Sequence, residues 1–101
     1  MKLFFTEQAI YGLEESLYFL MEMEGLPLEK VVSIRTRLFN RADSLIKNPL
    51  KGQKEEYLKH LNQNHRRIIE GHFKIIYKIE GDIIYITDFF DSRQNPVKMK
   101  G

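Results

Sequence analysis

The sequence predicts an α+β domain of order β-α-α-β-β-β, an antiparallel sheet packed on one face by an N-terminal helical hairpin. Two observations carry this prediction. Before Asn48 the apolar residues recur at steps of three and four, and after His65 they fall in short runs rich in Ile, Tyr and Phe. A third is length. At 101 residues the chain forms one domain over residues 1–101, with one modest core and no room for a cofactor domain beside a substrate domain.

The elements follow in order. Lys2 to Phe5 is an apolar-rich run that suits a strand. Thr6 then caps a helix whose first turn takes Glu7, and Ile10, Leu13, Leu17, Leu20 and Met21 mark its buried face. Gly25 fits the C-terminal cap. Pro27 opens a second helix, because its missing N–H costs nothing in a first turn. Val31, Ile34, Leu38, Ala42 and Leu45 form the inner stripe of that helix, and Asn48-Pro49 stops it. The short Glu24–Leu28 link makes the pair an antiparallel hairpin.

Residues 49–64 are polar and read as a loop, with Tyr57, Leu58 and Leu61 tucked into the core as one short turn. Three strands follow, at Arg66–Glu70, Phe73–Ile79 and Ile83–Phe90, separated by Gly71-His72 and Glu80-Gly81-Asp82. In the second, Phe73, Ile75, Tyr77 and Ile79 share one face, and Lys74 and Lys78 share the other with Ile76. Simple alternation in the third sets Ile83, Tyr85 and Phe89 against Ile84, Ile86 and Phe90. The face opposite the helices, carrying Lys74, Lys78, Asp88 and one of Arg66 or Arg67, is expected to stay open.

Composition narrows the function classes. Cysteine is absent, which excludes disulfides, thiolate metal sites and a cysteine nucleophile, and suits a reducing compartment. No apolar run approaches the ~20 residues of a membrane span. Glu7 and Gln8 interrupt the apolar start before a signal-peptide core develops. A cytoplasmic location without membrane contact is expected. Net charge is +2 but unevenly spread. Residues 1–34 hold two basic and six acidic residues, residues 35–60 seven and three, and residues 61–101 seven and five. The last two-thirds could therefore face nucleic acid or an acidic protein segment.

Most familiar chemistries find no support. His60 and His65 are five apart, the wrong spacing for a helical ligand pair, so no metal is expected. No serine stands in a nucleophile elbow, and no glycine-rich loop could cradle a phosphate, so no cofactor is expected. Asp88 and Asp91 are an odd number of residues apart on a strand and point to opposite faces. His72 lies in a hairpin turn, where a solvated imidazole is commoner than a general base. What remains is basic: Arg66, Arg67, Lys74, Lys78 and Arg93 cluster in and just beyond the strands. Beside aromatic side chains such cations can hold RNA or an acidic peptide, though strand charges also serve simply to discourage aggregation.

The C-terminal third resembles the ParE branch of the RelE/ParE toxin superfamily. The matching residues are His65-Arg66-Arg67-Ile68, Phe73-Lys74-Ile75-Ile76-Tyr77-Lys78-Ile79-Glu80-Gly81-Asp82, Ile84-Tyr85-Ile86, and Phe90-Asp91-Ser92-Arg93-Gln94-Asn95-Pro96. The resemblance implies the toxin half of a type II toxin–antitoxin, or plasmid stabilisation, pair. Its partner would be a ParD- or RelB-like antitoxin that wraps the toxin, with a toxin–antitoxin hetero-oligomer as the resting form. ParE-like members poison DNA gyrase, whereas RelE-like members cut mRNA on the ribosome.

The resemblance assigns target or antitoxin contact to Arg66, Arg67, Lys74, Lys78 and Arg93. In an RNase, Arg66, Arg67, His72 and Arg93 would be the catalytic candidates. The residues after Arg93 hold no tyrosine, histidine or carboxylate side chain. A proton-transfer group is thus missing where the RNase branch would place it, which favours a gyrase-binding toxin. An mRNA endoribonuclease is the alternative, and an inactive member kept as an interaction module is a third reading.

Overall fold

The computed structural model describes residues 1–101. Strand β1 (Lys2–Phe5) leads into helices α1 (Glu7–Glu22) and α2 (Leu28–Asp43). Strands β2 (Gln53–Lys54), β3 (Arg66–Glu70), β4 (Phe73–Glu80) and β5 (Ile83–Asp91) follow, in sheet order β1-β5-β4-β3-β2. The α+β class and the element order are those the sequence predicts.

Local chemistry explains the hairpin. Thr6 Oγ1 accepts from the Ala9 N–H at 3.2 Å and donates to the Ile86 carbonyl at 3.0 Å, so one hydroxyl caps α1 and ties it to β5. Ala9, Leu13, Leu17 and Leu20 are the buried side chains of α1, while Ile10 and Met21 are only half-buried. Pro27 caps α2, and its carbonyl accepts from Lys30 and Val31. Val31, Leu38, Ala42 and Leu45 pack inward beneath it. Phe5, Phe39 and Phe89 meet at centroid distances of 5.1 to 6.0 Å, joining β1, α2 and β5.

Four features depart from the sequence reading. First, β1 pairs with β5 in parallel, so the sheet is mixed. The chain between them runs through both helices and then β2, β3 and β4, which gives the long connection that a parallel return requires. Second, residues 49–64 are not merely a loop. Gln53 and Lys54 pair antiparallel with Arg67 and Arg66, and Glu56–Leu61 forms a 3₁₀ helix. Third, the ladder slips between Ile76 and Tyr77, whose partners are Asp88 and Ile86, leaving Thr87 as an extra residue in β5. Alternation inverts there. Phe89 therefore joins Ile84 and Ile86 on the helix face, and Phe90 and Asp88 turn to the other.

Fourth, that other face is not open. Leu58 and Met99 cover Ile76 and Phe90, all four nearly inaccessible, as a second apolar cluster. The tail is tied down by Thr87 Oγ1 donating to the Lys100 carbonyl at 3.2 Å, and by the Lys100 N–H donating to Asp88 Oδ2 at 2.9 Å. No helix is long and apolar enough to cross a membrane.

Candidate functional site

The five basic residues of the strand region do not form one patch. Arg66 and Arg67 are neighbours on β3 and so point to opposite faces, Arg66 opposite Tyr77 and Arg67 opposite Ile76. The Arg66 guanidinium donates to the Gly52 carbonyl at 2.6 Å and fastens residues 50–52 to the sheet. Tyr77 completes that fastening. Its hydroxyl donates to the Pro49 carbonyl at 2.7 Å and accepts from the Gly52 N–H at 3.1 Å. Burial raises the phenol above its ordinary pKa, so it stays a donor.

Arg67 and Lys74 belong together, through a residue that the sequence reading did not single out. Glu55 is 3% exposed and caps the 3₁₀ helix by accepting from the Tyr57 N–H. Its Oε1 lies 3.2 Å from Lys74 Nζ and 3.8 Å from Arg67 Nε. Lys74 also sits 5.4 Å from the Tyr57 ring centroid. A carboxylate, two cations and an aromatic ring thus border the covered face. Only the short turn predicted around Tyr57 hinted at Glu55, as the residue in its capping position.

That hub is structural as well as charged. Glu55→Ala is expected to cost about 2 kcal/mol, because it strands two partly desolvated cations and removes a cap. Denaturant unfolding of the variant beside wild type checks this, and an unchanged midpoint would show that the cations simply turn to solvent.

Lys78 stands apart, donating to Gln63 Oε1 at 2.9 Å and pairing with Glu80 at 3.7 Å. His65 beside it is 3% exposed, with neither ring nitrogen in a hydrogen bond of good geometry. Burial, then the Lys78 charge, pushes its pKa down, against a smaller opposing contribution from the Gly101 backbone. His65 is therefore a neutral packing residue at neutral pH.

Arg93 lies at the far end of β5. Its guanidinium takes Asp91 in a two-point grip, at 2.7 and 3.0 Å, and reaches Glu24 in the link between α1 and α2 at 3.6 Å. Burial alone would raise the Asp91 carboxyl, but the hydrogen bonds from Arg93 outweigh it and hold the acid below its ordinary range. His72 is exposed in the β3–β4 turn, and its carbonyl accepts from the Ser92 N–H at 2.8 Å and hydroxyl at 2.7 Å. His72 and Arg93 line one recess between the helices and that turn. Asp88 and Asp91 occupy opposite faces, as their spacing predicts. No group of three or more metal-ligating side chains that could hold an ion occurs.

The structure thus brings Arg67 together with Lys74, and His72 with Arg93, and separates both pairs from Arg66 and Lys78. Fold and site define a small mixed-sheet module whose cations border packed surfaces. The family model described as "ParE toxin of type II toxin-antitoxin system, parDE" matches residues 3–96. The chain belongs to the ParE toxin family. A solved structure described as "Chromosomal ParDE TA system from P. aeruginosa" has the same fold, with a TM-score of 0.70 at 15% identity, over 88% of this chain and 92% of that one. A comparison with curated proteins gave no match.

Proposed function

We propose that this protein is the toxin of a type II toxin–antitoxin, or plasmid stabilisation, pair, that a cognate ParD- or RelB-like antitoxin neutralises it, and that it acts in the cytoplasm by binding DNA gyrase. The observation that carries this reading is the covered second face of the sheet. Met99 and Leu58 roof Ile76 and Phe90, so Arg67, Lys74 and Lys78 border a packed surface rather than a groove open to RNA. The tail, where a nuclease of the superfamily would present its proton-transfer group, is spent on that roof. A binding poison needs only a fixed surface of complementary charge and shape.

The test is purified. Added to gyrase and relaxed plasmid, the protein is expected to inhibit supercoiling and to trap cleaved DNA. Full supercoiling at saturating protein would remove gyrase as the target.

Arg93 is the contact residue with the clearest test. It is about half exposed but its partner Asp91 is nearly buried, so Arg93→Ala is expected to cost about 1 to 2 kcal/mol and to leave the protein folded. Toxicity on induction is expected to fall. Growth arrest equal to wild type would withdraw Arg93 from the contact surface.

One observation favours a second reading, cleavage of mRNA on the ribosome. Arg67 and Lys74, both held by Glu55 and each about a fifth exposed near Tyr57, form a grouping that could hold a phosphate. Glu55→Gln would then weaken mRNA cutting by loosening both cations, whereas a gyrase poison would lose only the stability that the ion pairs supply.

A further inference from the structure

A band of cations runs from α2 to the free edge of β3. Lys30, Arg37 and Arg41 follow at steps of seven and four along α2, one row about 16 Å long at the helical rise. Lys30 and Arg37 are exposed and make neither an ion pair nor a side-chain hydrogen bond. Glu29 and Asp43, the acids of α2, lie on other faces of the helix. β2 covers only Arg66 and Arg67 of β3, and the edge beside them forms a notch of about 260 Å³. Arg41, Lys51, Gln53 and Arg67 line it with the exposed Ile69, and no carboxylate does.

The cations of the notch are oriented without being neutralised there. Arg41 Nη2 donates to the Ile69 carbonyl at 3.2 Å. Arg67 donates to the Lys54 carbonyl at 2.5 Å and to Gln53 Oε1 at 3.1 Å. Lys51 donates to the Ser44 hydroxyl. These acceptors are uncharged oxygens, which fix a cation and leave its charge. Glu70 and Glu55 reach Arg41 and Arg67 from outside the notch, at 3.6 and 3.8 Å, and Lys51 has no acid partner. Desolvation, then the neighbouring Arg41 charge, lowers the Lys51 pKa from its ordinary value, as expected of cations crowded without an anion.

We propose that this band holds the phosphate backbone of duplex DNA, one phosphate in the notch between Arg41, Lys51 and Arg67 and its neighbours along Arg37 and Lys30. A row of this length meets several phosphates, where a lone anion would need only the notch. Ser33 and Asn40, four residues before Arg37 and three after it, are exposed beside the row and suit further phosphate contacts. No aromatic ring lines the notch for an unpaired base to stack on, which disfavours a single strand. Ile69 alone gives too little apolar surface to anchor a protein segment. The role of the contact rests on the gyrase reading given above: a poison so equipped grips the duplex that gyrase has cut. The binding itself does not rest on that reading.

The experiment uses the purified full chain and a fluorescein-labelled DNA duplex of about 20 base pairs, with no gyrase present. Anisotropy at about 50 mM salt is expected to saturate, and log K to fall against log salt with a slope of about −3 to −5. Arg37→Glu and Lys51→Glu are each expected to weaken binding about fivefold or more and to flatten that slope by about 1. Lys98→Glu makes the same change of net charge away from the band, and is expected to weaken binding less than about twofold. No saturable binding, an equal loss from Lys98→Glu, or tighter capture of single-stranded DNA or duplex RNA would each overturn the proposal. So would displacement of the duplex by a polyglutamate peptide more readily than by unlabelled DNA. Arg37 and Lys51 are exposed, so their variants are expected to fold, with circular dichroism as the check. Amide shifts of the wild-type chain on adding duplex are expected at Gly52, Gln53 and Ile69, and shifts confined to other elements would also overturn it. Gyrase inhibition is read separately, in the supercoiling assay. Its absence with duplex binding intact would refute gyrase as the target and leave this surface standing.

Discussion

Alanine at position 52 is expected to be the most damaging one-methyl change in the chain, lowering stability by about 3 kcal/mol. A Cβ there would lie 2.6 Å from the Tyr77 hydroxyl oxygen, 2.7 Å from the Arg67 carbonyl oxygen and 2.9 Å from Tyr77 Cε1. None of these can move cheaply. The Tyr77 ring is fully buried, and the Arg67 carbonyl is strand backbone. Relief would break the hydrogen bonds that hold Pro49 and Gly52 to the Tyr77 hydroxyl, and would loosen the grip of Arg66 on the same turn.

Gly12 supplies the contrast. It lies within α1, and a Cβ there would come no closer than 3.7 Å to Asp88. Gly12→Ala is therefore expected to stabilise by about 0.5 to 1 kcal/mol, the ordinary preference of a helix for alanine. Urea unfolding of both variants decides the matter. Opposite signs support the close approach at Gly52, and a neutral Gly52→Ala contradicts it.

The second large effect is electrostatic. Burial pushes the Asp88 carboxyl from its ordinary 3.8 up to about 6, although the Lys100 N–H and charge pull it down. The folded state therefore holds that proton more tightly than the unfolded chain does. The contribution of Asp88 is complete below about pH 4 and is lost as pH rises through 6, a loss of about 3 kcal/mol by neutrality.

Asparagine removes the charge and keeps an acceptor for the Lys100 N–H. Asp88→Asn is expected to match wild type near pH 4 and to exceed it by about 2 to 3 kcal/mol at pH 7. Asp91, held below its ordinary range, and His65, also lowered, both favour the fold at higher pH, so the wild-type profile alone does not isolate Asp88. The difference between variant and wild type does. A difference that stays constant with pH would place the Asp88 proton elsewhere.

The parts of the fold legible in the sequence are those set by local chemistry. Thr6 as a cap, the stripe from Val31 to Leu45 and the two glycine turns of the meander need only neighbours within a few residues. The parts that were not legible depend on partners far along the chain. Parallel pairing of Lys2–Phe5 with Ile83–Ile86 has no local signature. Gln53 and Lys54 are polar, and they become a strand because Arg66 and Tyr77 fix the turn before them. The extra residue at Thr87 inverts a regular alternation, so counting parity misplaces Phe89 and Phe90.

The site divides the same way. The basic residue types and their order could be read directly, and so could the opposed directions of Asp88 and Asp91. What holds them could not. Met99 sits in a polar tail without periodicity, yet it roofs the sheet. Glu55 sits in a polar stretch, yet it anchors Arg67 and Lys74. Both assignments come from tertiary packing, which a single sequence does not display.

The most direct test of the central claim is controlled expression of the protein without an antitoxin, with chromosomal DNA breakage and mRNA cleavage followed in the same culture. The account predicts growth arrest with gyrase-dependent DNA breaks and intact transcripts. Codon-phased cuts in translated mRNA with undamaged DNA would contradict it, and would make Glu55, His72 and the strand arginines the first positions to substitute.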